Sequence, residues 1–212
     1  MSIFESILRK LNLHPPLWYA VSDRSTFPRL STLVYLEALF GTRAHVIQWR
    51  EKDLPADACA VFLRRGVELA ESADKIFLVN SLVELALEVG AHGVHLTSRQ
   101  ELPPAVQARN DSRRTSFILG KSVHSIDEAK QAEAEGADYV LLGPVFTPLS
   151  KGSAAPPLGL HALQEASAAL RIPVFALGGI TEANWREVVA TGVYGAAGIS
   201  WAARMIVEAT RT

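Results

Sequence analysis

The stretch that decides the fold is Phe175-Ala-Leu-Gly-Gly-Ile-Thr181, followed further along the chain by Gly195-Ala-Ala-Gly-Ile-Ser200. Each segment is a short apolar run that reaches glycine where a helix is expected to begin. In a parallel α/β chain this pattern is typical of the last two strands of a barrel, whose loops bind phosphate. Glycine lets the backbone approach an anion, and the N–H groups that open a helix point towards it. The predicted phosphate-binding residues are Gly178, Gly179, Ile199 and Ser200.

Similar apolar runs recur along the whole chain and alternate with helical stretches. The predicted strands are 17–22, 45–50, 75–79, 93–96, 117–123, 139–143, 173–177 and 196–199. Eight strands that alternate with helices favour a closed (βα)8 TIM barrel of the α/β class over an open doubly wound sheet. No linker or low-complexity tract divides the chain, so we expect a single barrel domain over residues 17–212.

Ser-x-x-Glu spacing marks several helix starts, because serine and glutamate can satisfy each other's free backbone N–H groups. Ser2 and Glu5 have this spacing, and apolar residues follow them, so residues 1–16 are predicted to form a helical extension that covers one end of the barrel. The same spacing after three strands predicts caps at Ser81, Ser98 and Ser125.

Composition excludes several classes of protein. The chain has 212 residues, 49% of them hydrophobic, and a formal net charge of −1, which argues against nucleic acid as the main partner. Its single cysteine excludes a disulfide framework, so a cytoplasmic protein is expected. The first residues are too short and too charged for a membrane or signal segment. A homodimer is left open by an apolar exterior that includes Trp185 and Trp201.

Polar side chains at the ends of strands are the candidates for chemistry, because a barrel's active site lies at that face. Gln48, Arg50 and Lys52 share one face of the second strand by period-two alternation, and their two positive charges suit an anionic ligand. The alternative is a solvated strand end in which Arg50 pairs with Glu51.

The fifth strand ends with Ser122 and His124 on one face. Histidine transfers protons readily near neutral pH, since its ordinary pKa is about 6.5. The alternative is a histidine that only caps a helix or packs in a loop. After the sixth strand, the loop 147–159 carries Lys151, which would lie over a phosphorylated ligand if the loop acts as a lid, or would otherwise be a solvated lysine.

At these residues the chain resembles the thiamine phosphate synthase/TenI family. The resemblance rests on Val46-Ile-Gln48-Trp-Arg50-Glu-Lys52, Gly120-Lys-Ser122-Val-His124, Gly143-Pro-Val-Phe146 and Gly178-Gly-Ile180, and it runs from about residue 17 to residue 203. It implies a (βα)8 barrel that handles the thiazole phosphate half of thiamine.

The family has two branches. Synthases join a pyrimidine pyrophosphate to thiazole phosphate with Mg²⁺, whereas TenI-type members are thiazole tautomerases. The synthase pattern has Asn-Asp and Gly-Gln-x-Asp after strands three and four, where this chain has Asn80-Ser81 and Thr97-Ser-Arg-Gln100. Mg²⁺ prefers carboxylate and phosphate oxygens, and two carboxylates are missing at these positions.

The sequence therefore predicts a TenI-like isomerase that acts on a small phosphorylated heterocycle and needs no cofactor or protein-bound metal. His124 is the predicted proton carrier, and Gln48, Arg50, Lys52, Asn80, Ser122 and Lys151 are the predicted substrate-binding residues. Two alternatives stay open: a divergent thiamine phosphate synthase that uses Mg²⁺, and a non-catalytic binder of thiazole or thiamine phosphates.

Overall fold

The computed structural model describes residues 2–147 and 156–209. Eight parallel strands pair in chain order and close on themselves, with β1 beside both β2 and β8. The strands are β1 Leu17–Val21, β2 Val46–Trp49, β3 Ile76–Asn80, β4 Gly93–Leu96, β5 Ile118–Val123, β6 Tyr139–Leu142, β7 Val174–Leu177 and β8 Gly195–Gly198. The predicted TIM barrel is confirmed, and each strand boundary lies within one residue of its prediction.

Helices lie between the strands and cover the outside of the barrel. They are α1 Ile3–Lys10, α2 Thr32–Phe40, α3 Ala56–Ser72, α4 Val83–Val89, α5 Leu102–Asp111, α6 Ile126–Ala134, α7 Gly159–Ala169, α8 Trp185–Ala190 and α9 Ser200–Ala209. Within 2–147 and 156–209, none of these helices is both long and apolar enough to cross a bilayer.

The first helix closes the N-terminal end of the barrel. Ser2 caps α1 with the reciprocal bonds predicted for Ser2 and Glu5. The buried face of α1 then enters the interior, where the ring centroid of Phe4 lies 5.0 Å from that of Tyr139 and 5.6 Å from that of Phe175. The helix α1 thus covers the apolar half of the interior at the N-terminal end of the barrel. The division into a 1–16 extension and a 17–212 barrel stays a prediction.

The upper half of the interior is polar. Tyr19, Gln48, Asn80, His95, Ser122 and Tyr139 contact one another there. Gly120 makes room for this layer, because a Cβ atom at that position would lie 2.1 Å from Cζ of Tyr139. The glycine is therefore needed for packing.

Two of the predicted helix caps are wrong. Ser125 accepts from the backbone N–H of Glu128 as expected, but Ser81 and Ser98 do not cap α4 and α5, whose N-cap residues are Leu82 and Glu101. Ser81 instead has a positive φ of 67° and turns its hydroxyl towards Gln100. Both serines face the barrel mouth, where long-range contacts replace the local cap.

Candidate functional site

Gln48 and Asn80 bind each other at the mouth of the barrel. Nε2 of Gln48 lies 2.9 Å from Oδ1 of Asn80, and Oε1 of Gln48 accepts from the Tyr19 hydroxyl at 2.8 Å. Gln48 is only 2% exposed. Both ends of its amide are therefore hydrogen-bonded to protein groups, so Gln48 forms part of the barrel wall. The half-buried Asn80 lies nearer the opening.

Arg50 follows β2 directly and is half-buried, whereas Lys52 is exposed. The carboxylate of Glu51 turns away to the Ser22 hydroxyl at 2.5 Å and the Arg24 backbone N–H at 2.9 Å. Within the part of the chain that the structure describes, Arg50 has no ion-pair partner. The predicted Arg50–Glu51 pair is absent there, which leaves the guanidinium available to an anion.

His95 lies beneath the mouth, and sequence reasoning assigned it no role. Its Nδ1 lies 2.8 Å from the hydroxyl of Tyr139 and its Nε2 lies 2.8 Å from Oγ of Ser122. Burial, followed by the positive charges of Lys121 and Arg50, lowers the pKa of His95 to about 3. His95 is therefore neutral at physiological pH. Its place at a strand end was the available signal, but only the fold brings Ser122 and Tyr139 to its two nitrogens.

His124 lies on the rim rather than in the interior. Its Nδ1 lies 2.6 Å from the carbonyl oxygen of Gly143 at the end of β6, and its Nε2 lies 3.2 Å from Oγ of Ser98. Its backbone N–H donates to Glu128 at 2.7 Å. A carbonyl can only accept, so Nδ1 carries the proton and Nε2 of the neutral ring is the basic atom. The imidazole is thus oriented with a defined tautomer.

The two positions where the synthase pattern has aspartates lie side by side, after the neighbouring strands β3 and β4. Oγ of Ser81 lies 2.8 Å from Oε1 of Gln100, and Lys121 donates to the backbone carbonyl of Gln100. Two neutral groups bound to each other beside a lysine do not fit Mg²⁺, which prefers carboxylates. Within residues 2–147 and 156–209, no cluster of three His, Cys, Asp or Glu side chains could hold a metal ion.

The loop after β7 contains the two glycines of the predicted phosphate site. Gly178 and Gly179 have φ values of 94° and 67°, and added Cβ atoms would lie 2.8 Å from Pro144 and 2.6 Å from Phe146. Asn184, which the sequence analysis did not predict, fixes the conformation of this loop. Its side chain donates to the Gly179 carbonyl at 3.0 Å and accepts from the Thr181 N–H at 2.7 Å.

The loop after β8 lies beside this one, because β7 and β8 are paired. Ile199 follows β8, and Ser200 opens α9. The first N–H groups of an α-helix have no intrahelical acceptor, so this turn presents donors next to the glycine loop. The two predicted phosphate segments are thus brought together. Lys151 lies outside the described residues.

Comparison with known proteins gives one consistent family. The family model for thiamine monophosphate synthase matches residues 18–202. The chain is 38% identical over 185 residues to the putative thiamine-phosphate synthase 2 of Aquifex aeolicus, covering 87% of this chain and 96% of that protein. It is 43% identical over 163 residues to the thiamine-phosphate synthase of Methanoculleus marisnigri, covering 74% and 73%.

A solved structure agrees. The thiamine phosphate pyrophosphorylase of Pyrococcus furiosus superposes with a TM-score of 0.77 at 30% identity, covering 92% of this chain and 94% of that one. The names of these relatives favour the synthase alternative over the predicted tautomerase. The closed barrel, the family match over almost the whole chain and these relatives lead to one conclusion: the chain belongs to the thiamine monophosphate synthase family and is an enzyme of thiamine biosynthesis.

Proposed function

We propose that this enzyme is a thiazole phosphate tautomerase, in which His124 transfers the proton. The observation that carries the proposal is the 2.6 Å contact between Nδ1 of His124 and the Gly143 carbonyl. This contact leaves Nε2 as a base on the rim of the mouth, with the Ser98 hydroxyl 3.2 Å away. A single group of this kind can both accept and return a proton.

The reaction balances without any further reagent. Nε2 of His124 removes a proton from the sp³ ring carbon of the substrate, and the electron pair moves into the ring. The exocyclic double bond shifts at the same time, and its outer carbon receives a proton from the imidazolium. The ring becomes aromatic, nothing is oxidised or reduced, and His124 returns to its neutral form.

The anionic ends of such a substrate match the charges of the site. The phosphate fits the glycine loop at Gly178 and Gly179 together with the opening turn of α9 at Ile199 and Ser200. Arg50, with no ion-pair partner in the described part of the chain, and the exposed Lys52 suit the thiazole carboxylate. The half-buried Asn80 and Ser122 are the proposed contacts for the rest of the substrate, and the buried Gln48 lies behind Asn80.

The second candidate is a thiamine-phosphate synthase, and the names of the relatives favour it. This reaction uses Mg²⁺ to neutralise the departing pyrophosphate. Ser81 and Gln100 do not fit that ion, so the pyrophosphate itself would have to hold it. Arg50, which has no ion-pair partner in the described part of the chain, would then be left to balance much of the charge.

Two assays on the purified enzyme separate the candidates. In the first, the enzyme is given the non-aromatic thiazole carboxylate phosphate without added metal, and the aromatic product is followed by its absorbance. In the second, it is given hydroxymethylpyrimidine pyrophosphate, thiazole phosphate and Mg²⁺. We expect turnover in the first assay and no thiamine phosphate in the second.

Steady turnover in the second assay with none in the first would reject the tautomerase in favour of the synthase. Protection against heat by thiazole phosphate, with no turnover in either assay, would identify the third alternative, a non-catalytic binder. Assembly into a homodimer stays a prediction that size-exclusion chromatography with light scattering can test.

A further inference from the structure

A continuous chain of hydrogen bonds crosses the interior of the barrel beneath the mouth, and one backbone group fixes its direction. The N–H of Thr97 can only donate, and its acceptor, 3.0 Å away, is Oε1 of Gln100. Ser81 must therefore donate its hydroxyl proton to the same oxygen, at 2.8 Å. With its only proton used, Ser81 accepts from Nδ2 of Asn80, also at 2.8 Å.

The direction continues through Gln48 to the two tyrosines. Because Nδ2 of Asn80 faces Ser81, its Oδ1 faces Gln48 and accepts from Nε2 at 2.9 Å. Oε1 of Gln48 then accepts from the hydroxyl of Tyr19 at 2.8 Å. The only proton of Tyr19 is thereby used, so in the 2.8 Å contact between the two phenols Tyr139 is the donor.

The Tyr139 hydroxyl has no second proton to donate, and this determines which ring nitrogen of His95 carries the hydrogen. The contact of 2.8 Å between Nδ1 of His95 and the Tyr139 oxygen requires that Nδ1 carries the hydrogen. The ring is fully buried, and burial keeps it neutral. Nε2 is therefore an acceptor, and it receives the hydroxyl proton of Ser122 at 2.8 Å.

We infer that Tyr19 and Tyr139 are positioning residues that hold His95 as the Nδ1–H tautomer and thereby turn the Ser122 hydroxyl proton inward. Ser122 then offers only oxygen lone pairs to the mouth. A ligand group that lies against Ser122 must donate a hydrogen bond, so a carboxylate or phosphate oxygen is disfavoured there.

This polarity defines the orientation of the substrate, a consequence that rests on the proposed function. A thiazole carboxylate is turned away from Ser122 and towards Arg50. The tautomer of His95, in contrast, follows from the hydrogen bonds alone and holds for either enzyme activity.

Nitrogen-15 NMR of the ligand-free enzyme with labelled histidine tests the inference. The His95 signals are identified by their loss in His95→Gln. In the wild type between pH 6 and 8, we expect a protonated, pyrrole-type Nδ1 and an unprotonated, pyridine-type Nε2. In Tyr19→Phe, the Tyr139 proton loses its acceptor and turns to Nδ1, so we expect the tautomer to change to Nε2–H.

Tyr194→Phe is the matched control. It removes a phenol hydrogen bond of similar length, 2.7 Å to Glu5, at the other end of the barrel, and should leave the His95 signals unchanged. A wild-type His95 that is cationic or Nε2-protonated overturns the inference, and so does an unchanged tautomer in folded Tyr19→Phe. The wild-type spectrum decides the matter even if the variant does not fold, and neither measurement depends on catalysis.

Discussion

Oγ of Ser81 lies 2.8 Å from Oε1 of Gln100, across the ends of two neighbouring strands. The family's synthase pattern places a carboxylate at each of these positions. Two carboxylates this close would create a cation site. A hydroxyl and an amide are uncharged, and here they satisfy each other by hydrogen bonding. The contact therefore marks the point at which this chain departs most clearly from Mg²⁺ chemistry.

Restoring both acids should restore metal binding. The double variant Ser81→Asp, Gln100→Asp is expected to bind Mg²⁺ at least about tenfold more tightly than the wild type, equivalent to roughly 1.4 kcal/mol. Isothermal titration calorimetry with MgCl₂ alone measures the change. Ser98→Asp adds one charge on the rim and serves as the control. Equal Mg²⁺ affinity of the double variant and the wild type would show that these positions do not form a cation site.

Removing the proton carrier should affect turnover more than binding. In His124→Asn, kcat for isomerisation is expected to fall by about 10²–10⁴-fold, the usual contribution of general acid–base catalysis. KM should change little, because the proposed phosphate contacts lie on other loops. His161→Asn, on the exposed face of α7, is the control. Full activity of His124→Asn would remove His124 from the mechanism.

Buried His95 should make the enzyme less stable in mild acid. The folded-state pKa is lowered to about 3, while the unfolded value is near 6.5, so the unfolded chain binds more protons between these limits. The stability that neutral His95 contributes is present above pH 6.5 and is lost as the pH falls, by about 1.4 kcal/mol per pH unit.

Urea unfolding between pH 7 and pH 5 measures this loss, and His95→Gln provides the comparison because glutamine does not titrate. The free energy of unfolding should fall more steeply with acid in the wild type than in His95→Gln. Parallel curves for the two proteins would mean that His95 titrates normally in the folded state. The half-buried histidines His45 and His92 are common to both proteins and cancel in the difference.

A methyl group at Gly120 should disturb the polar layer. Its Cβ would lie 2.1 Å from Cζ of Tyr139, so Gly120→Ala is expected to displace that ring and to lower the free energy of unfolding by about 1–3 kcal/mol. Gly41→Ala is the control, since its Cβ would meet nothing closer than 3.5 Å. Equal stability of the two variants, measured by urea unfolding, would contradict this account of the packing.

The sequence by itself determined the strands, the barrel and the face at which the polar strand ends meet. Apolar runs that alternate with helical stretches are local signals, and period-two alternation places Gln48 and Ser122 on inward faces. The Ser2 cap is equally local, because its partner Glu5 lies three residues away. In a parallel barrel, the carboxyl ends of the strands then meet at one face without further information.

Only the tertiary structure decided what these residues contact. Tyr19 and Tyr139 are separated by 120 positions, and their contact sets the protonation pattern of His95. Ser81 and Ser98 have the spacing of helix caps, yet they turn towards Gln100 and His124. Hydrogen bonds to side chains on other strands replace the local ones, since polar groups within the barrel must find partners wherever the closed sheet places them.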